Sequence, residues 1–334
     1  PGQTGKAFVA GAAAGAVLPG GIEGTVAAGK LVPDVTRKGF AKVRENAAVP
    51  GPGRMAKESG AVGKDLAFQR QLDKLIKKHP DIKPILRYLT EQEKRNIVGR
   101  RAQRAKALLE NWDRLDPKEM ASVAYAGKAK KGWYRQSAQA LLDVFGPEDS
   151  KRFIGLLAAL SPQTSVESNF YNALSLWKNW TKAGRPQDRA TIMRIAGESV
   201  EGGGTEKSVL DAWKNNSIRA LTTDDPKKLV LSGPKVDSFM RNLWGELDEV
   251  TNDAWMARYS GIDQEVFSGS MTGEGTAGVE PGKMGGYLAM SAATRKAAEL
   301  LTKRTGEKWY PAEIQEAIWS WAKTLYELRE AQGY

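Results

Sequence analysis

Residues 231–258 read LSGPKVDSFMRNLWGELDEVTNDAWMAR, and the order of parts in this stretch decides the fold. Gly233 and Pro234 interrupt the pattern of Lys227-Lys228-Leu229-Val230-Leu231, and the apolar spacing of Val236, Phe239, Met240 and Leu243 starts a helix directly afterwards. The stretch predicts helix, tight turn, helix. Gly233 has no side chain to obstruct the free N–H groups at the start of the second helix, so a phosphate can come close there, with Ser232, Pro234 and the charge of Lys235 at the same turn. A plain helical corner also uses a Gly-Pro pair. Further on, Asp253 stands at the expected start of another helix and Arg258 follows within it; Asp at such a position is ordinarily a cap.

The rest of the chain extends the helical pattern. An apolar helix from Phe153 to Leu160 runs into Ser161-Pro162-Gln163-Thr164, and two long helices, Leu288 to Lys303 and Ala312 to Glu330, close the chain. Thr90-Glu91-Gln92-Glu93 has the form of a capping box before a helix carrying Lys94, Arg95, Arg100, Arg101, Arg104 and Lys106. Those cations read as a solvated face or as a phosphate-binding stripe. The glycine-rich stretch from Ser260 to Gly286 has few apolar residues and predicts a loop. Strand patterns are scarce and no repeat is evident, so the expected fold is all-α.

Three segments are expected. Residues 1–64 form a Gly/Ala-rich arm and linker, 65–126 a basic helical segment, and 127–334 the main helical domain. Within the arm, residues 7–32 are small and apolar but are interrupted by Pro19-Gly20-Gly21 and Glu23, which reads as two short helices packing on each other or on a bilayer. The arm lacks the basic start of a signal peptide.

Composition narrows the chemistry. Fifty Lys and Arg against 39 Asp and Glu give a net charge of +11, suited to a polyanionic partner. The chain has no Cys and a single His, His79, which removes thiolate metal sites, histidine-cluster zinc, and Ser-His-Asp or Cys-His nucleophiles. No metal or cofactor is expected.

Taken together, Leu231, Gly233, Asp253 and Arg258 resemble, in order and approximate spacing, the helix-hairpin-helix DNA glycosylase superfamily, whose hairpin reads roughly Leu-Pro-Gly-Val-Gly and whose catalytic Asp follows about one helix later. Leu160-Ser161-Pro162-Gln163-Thr164 is similar to the Leu-Ser-Gln-Gln-Thr turn that opens the DNA-facing core of that family. A phage-associated branch is resembled more closely, through Gly132-Trp133-Tyr134, Phe145-Gly146, Leu157 to Pro162, Asn169, Asn172-Ala173-Leu174 and Tyr310 to Gln315 before Trp319. The resemblance covers residues 130–330. It implies a DNA partner, Asp253 as the catalytic carboxylate, and DNA contacts from Ser232, Gly233, Pro234, Lys235, Gln163, Thr164 and Arg258. Trp133, Tyr134 and Trp255 become candidates to stack on an extruded base. The chain departs from the pattern where Lys235 replaces the hairpin's second Gly, Asp237 occupies the seat of the Schiff-base Lys, and Ala254-Trp255 replaces Thr-His. Lyase activity is therefore not expected, and without Cys the family's iron–sulfur cluster is excluded.

Three functions follow as expectations. The first is a phage internal virion protein of the ejection type, delivered from the virion interior to the host, whose glycosylase-like domain serves DNA binding or assembly alongside other virion proteins and as a homo-oligomer. The second is an active monofunctional DNA N-glycosylase using Asp253. The third is a lytic transglycosylase: Glu167-Ser168-Asn169-Phe170 resembles the Glu-Ser-x-Phe opening of those enzymes, with Glu167 as a general acid protonated by burial.

Overall fold

The computed structural model describes residues 55–262 and 281–331, and all regular structure among them is helical. The chain divides into two units, 1–78 and 79–334. In the first, α1 (Met55–Lys78) buries Phe68, Leu72 and Leu75, a spacing that keeps one face of a helix apolar. The expectations for residues 7–32 and for most of the linker lie outside the described residues.

The second unit contains α2 (Lys83–Leu86), α3 (Glu91–Arg95), α4 (Gln103–Trp112), α5 (Pro117–Ala126), α6 (Trp133–Ala159), α7 (Val166–Lys182), α8 (Arg189–Ser199), α9 (Asp211–Thr222), α10 (Pro234–Leu243), α11 (Ala254–Ser260), α12 (Pro281–Thr305) and α13 (Pro311–Ala331). Its central member is α12. Every residue from Gly285 to Thr294 is buried, so this helix has no solvent face there and reads as core on all sides. It packs against α4, α5 and α13. A Cβ placed on Gly285 would lie 2.7 Å from the Ala107 Cβ, the Arg104 carbonyl oxygen and the Leu108 nitrogen, so only glycine allows α12 to approach α4 this closely. Met120, Met256, Met290, Leu301, Trp309 and Ile314 fill the space between α5, α11, α12 and α13.

These contacts pack α4 and α5 on α12, so residues 103–126 share its core. The basic stretch differs from its expectation. Instead of one helix it forms α3, a 3₁₀ turn at Gly99–Arg101 and α4, because Val98 is extended and Gly99 adopts φ 61°. The Thr90 capping box is present, with Glu93 N donating to Thr90 Oγ1 and Thr90 N to Glu93 Oε2. Several of its cations are satisfied nearby: Lys94 by Glu91 at 2.6 Å, Arg101 by Asn96 Oδ1 at 2.7 Å, and Lys106 by Glu110 at 3.6 Å.

A second packing centre is aromatic. Phe145 stacks on Phe153 at 4.1 Å between ring centroids, and Trp177 and Trp180 of α7 adjoin them. The long α6 is broken at Gly146 (φ 77°, ψ 174°), and Pro147, which needs no N–H partner, opens the following segment. The expected apolar run from Phe153 to Leu160 is buried throughout. Helix α12 starts at Pro281, before the expected end of the glycine-rich loop, whose residues 263–280 lie outside the described ones.

Candidate functional site

The helix after the turn is built as its residues predict, but the helix expected before it is not: Pro226–Lys228 form a single 3₁₀ turn, Leu229 is extended and α9 has already ended at Thr222. Gly233 takes φ 98°, Pro234 occupies the first turn of α10, and no side chain caps that helix. Two polar residues shape the turn. Leu231 N donates to Asp237 Oδ1 at 2.9 Å, and Asp237 Oδ2 accepts from Arg241 Nε at 2.7 Å. The seat that the resemblance gives to a lysine nucleophile is thus a hairpin brace. On the other side, buried Asn216 of α9 clasps Ser232 twice: Ser232 N donates to Asn216 Oδ1 at 2.7 Å and Asn216 Nδ2 to Ser232 O at 2.9 Å. Ser232 and Gly233 remain exposed at the tip.

Lys235 points the other way. Its Nζ donates to Ser161 Oγ at 2.9 Å, which joins the hairpin to the Leu160–Thr164 turn. That turn is itself fixed by Trp213 Nε1, which donates to the Pro162 carbonyl at 2.9 Å. Gln163 is exposed with φ 58°, and Thr164 precedes Ser165, which caps α7 by accepting from Ser168 N.

Asp253 faces the same region. It caps α11, with Oδ1 accepting from Trp255 N at 3.0 Å and Met256 N at 3.2 Å, while Oδ2 accepts from Trp319 Nε1 at 2.9 Å. Lys235 and Asp253 keep some accessible surface, yet enough protein surrounds them for burial to govern their titration. Burial pushes the Asp253 carboxyl up; the Lys235 charge, the two backbone N–H groups and the Trp319 indole pull it down. Burial likewise pushes the Lys235 ammonium down, against the attraction of Asp253. The arrangement puts an amine and a hydroxyl in direct contact, with a carboxylate from a third turn near enough for its charge to act on the amine. Nearby, Asn252 donates to Ser291 Oγ at 2.9 Å and to Tyr287 O at 3.2 Å, which ties the Asp253 loop to α12.

Helix α13, which carries Trp319, also holds the start of α6. Gln315 accepts from the Tyr134 hydroxyl at 2.7 Å, and Glu316 accepts from the backbone N–H groups of Gly132 and Tyr134, capping α6 from another element. Burial pushes the Glu316 carboxyl up to about 7, although those two donors oppose the rise. Tyr134 is 3% exposed, so it is a core side chain rather than a stacking surface. Trp133 and Trp255 are partly exposed; Arg258 is exposed and stacks its guanidinium 4.7 Å from the Trp255 centroid.

Glu167 sits exposed in the first turn of α7, where the helix dipole favours an acidic residue. The burial that a general acid of the transglycosylase kind requires is missing. Among the described residues no group of three or more His, Cys, Asp or Glu is disposed to hold a metal ion, and no helix is long and apolar enough to cross a membrane.

Asn216, Ser161, Trp319 and Glu316 were not singled out as site residues by sequence reasoning. Each is an ordinary residue type on a helix or turn, and only its long-range partner gives it meaning. No curated protein and no solved structure matches the chain. Residues 91–325 match the model of a family described as "Family of unknown function (DUF7178)", a span that runs from the first residue of α3 into α13 and takes in both turns, Asp253 and Trp319. With well over half of its length matched, the chain belongs to that family.

Proposed function

We propose that this chain is a DNA-binding module of the helix-hairpin-helix glycosylase-like kind, used by a phage as an internal virion protein that travels with the genome. One observation carries the DNA-binding part: Lys235 leaves the hairpin and is held by Ser161 of the second turn, within the electrostatic reach of Asp253. Gly233, exposed at the tip, and the uncapped start of α10 provide N–H groups and a positive dipole end for a phosphate, while the Ser232 N–H is already held by Asn216. The net charge of +11 favours the same partner. The virion assignment, and with it assembly with other virion proteins and as a homo-oligomer, rests on the resemblance of residues 130–330 to the phage-associated branch.

Binding of a DNA duplex, measured by fluorescence anisotropy across a series of salt concentrations, tests the hairpin. Replacing Lys228 and Lys235 by Ala should flatten the log–log salt dependence by about 0.9 for each phosphate that is no longer neutralised. An unchanged slope would move the binding surface elsewhere. Mass spectrometry of purified particles should find the chain inside them, and its absence there would defeat the virion assignment.

A second reading, cleavage of an N-glycosidic bond, is favoured by Asp253, a carboxylate fixed by the Trp319 indole within the field of the Lys235 charge. An ionised Asp253 would stabilise the sugar cation that develops as a base departs. Asn caps helices as well as Asp does, so Asp253→Asn should keep α11 capped, losing the Trp319 bond because an amide N–H₂ cannot accept from the indole, and should abolish base release from damaged duplexes. Base release that survives the substitution would rule this mechanism out.

A further inference from the structure

We propose that the surface where Lys128, Arg304 and Lys308 gather is a second seat for the DNA backbone, separate from the hairpin; this rests on the DNA-binding reading above. Three elements meet there: the 3₁₀ turn Lys128–Lys130, the last turn of α12, and the loop that leads into α13. Lys131 ties them together, donating to the Lys308 carbonyl at 3.1 Å, pairing with Glu307 and lying 4.4 Å from the Trp309 centroid.

The cations of this surface are ordered without being neutralised. Lys128 Nζ lies 4.7 Å and the Arg304 guanidinium 5.1 Å from the centroid of Tyr125, and Lys308 Nζ lies 5.1 Å from that of Tyr310. Arg304 also donates to Ser122 Oγ at 3.3 Å. None of the three has a carboxylate partner among the described residues. Neighbouring carboxylates are committed elsewhere: Glu307 to Lys131, Glu299 to Arg87 and Lys303, and the buried Glu313 to Arg135. An ion pair would cancel the charge, whereas a ring face holds the side chain in place and leaves the charge available. Such cations lose little further freedom on meeting a phosphate.

Position selects the partner. Lys131 is followed by Gly132, Trp133 and Tyr134, and the N–H groups of Gly132 and Tyr134 rest on Glu316 of α13. One helical turn on, Trp319 of the same helix holds Asp253. The cationic surface is therefore tied, through the buried contacts of Gly132 and Tyr134 with α13, to the helix that holds Asp253. A polymer with regularly spaced negative charges, bound at Asp253 and the hairpin, extends over Lys128, Arg304 and Lys308, where the partly exposed Tyr125 also offers its hydroxyl to a phosphate oxygen.

The test is duplex binding by the full chain against salt, with Lys128→Gln, Arg304→Gln and Lys308→Gln combined, and Lys128→Gln alone. Circular dichroism checks the fold, and Lys178→Gln, Lys182→Gln and Lys207→Gln, exposed cations on other elements, match the change in net charge. The triple variant should lower the log–log slope by about 3 and Lys128→Gln alone by about 1, as expected from counterion release. The charge-matched control should leave the slope near that of the unaltered chain. A slope changed by Lys235→Ala but not by the triple variant overturns the second seat and leaves the hairpin reading intact. No DNA binding by the unaltered chain overturns both. Equal losses in the triple variant and its control, or loss of binding to phosphatidylserine vesicles with DNA binding unchanged, also overturn the proposal.

Discussion

Acidification is expected to strengthen this fold through Glu316, the reverse of what a solvent-paired carboxylate would do. In the unfolded chain the carboxyl ionises near 4.5, and in the fold at about 7 because burial disfavours its charge. The folded protein therefore holds this proton more tightly, so the stabilisation is complete below pH 4.5 and is lost as pH rises through 7. At 1.36 kcal/mol for each tenfold change in proton affinity, the full effect is about 3 kcal/mol. About 2 kcal/mol of it falls between pH 5.5 and pH 8. Urea unfolding followed by tryptophan fluorescence at those two pH values, in the unaltered chain and in Glu316→Gln, isolates the effect. Gln retains an oxygen for one of the N–H groups of Gly132 and Tyr134 but does not titrate. Asp253 and Glu249, also pushed up by burial, titrate in the same direction, but both proteins carry them and the comparison cancels them. The unaltered chain should lose about 2 kcal/mol more than the variant on going to pH 8. Parallel curves, or a relative gain in stability with rising pH, would refute the reasoning.

Two further substitutions probe the framework, one at the site and one where α8 packs on the turn that follows it. Trp319→Phe keeps a ring but removes the N–H held at 2.9 Å by Asp253 Oδ2; unfolding free energy should fall by about 1.5–3 kcal/mol, and the Asp253 carboxyl should move further upward in a carbon-detected NMR titration. No movement would mean that the indole does not position Asp253. Gly197→Ala places a Cβ 2.2 Å from the Thr205 carbonyl carbon, so thermal unfolding should show a loss of about 1–3 kcal/mol. Gly204→Ala, with open space around it, is the control; equal effects at the two positions would sink the packing argument.

Local chemistry explains which features the sequence disclosed. The Gly233-Pro234 turn, the Thr90 capping box and the Asp253 cap are all made by residues within a few positions of one another, so residue type and spacing suffice. The partners that turn those features into a site are distant in the chain: Asn216 is 16 residues from Ser232, Trp319 is 66 from Asp253, and Glu316 is 184 from Gly132. No periodicity reports such pairings. The interrupted basic helix and the buried Tyr134 have the same origin. The sequence around Gly99 is compatible with a continuing helix, and Tyr134 looks like a surface aromatic until α13 covers it. At Asp237, by contrast, the departure from the glycosylase pattern that the sequence resembles is visible, but its purpose as a brace for Leu231 and Arg241 emerges only with the hairpin's geometry.

Two of the hydrogen bonds that shape and seat the hairpin differ in the length of chain they close. Asp237 reaches Leu231 across 6 residues, whereas Lys235 reaches Ser161 across 74. Loop-closure entropy grows with the logarithm of that length, so the second contact costs about 2 kcal/mol more chain entropy than the first. The turn can take its shape while the chain is still largely unfolded; its docking against Ser161 must wait until α6 and α10 have been brought together. Assembly of the Asp253 corner is thus a late, non-local event in folding, and local opening there can expose the corner without dissolving the hairpin that leads to it.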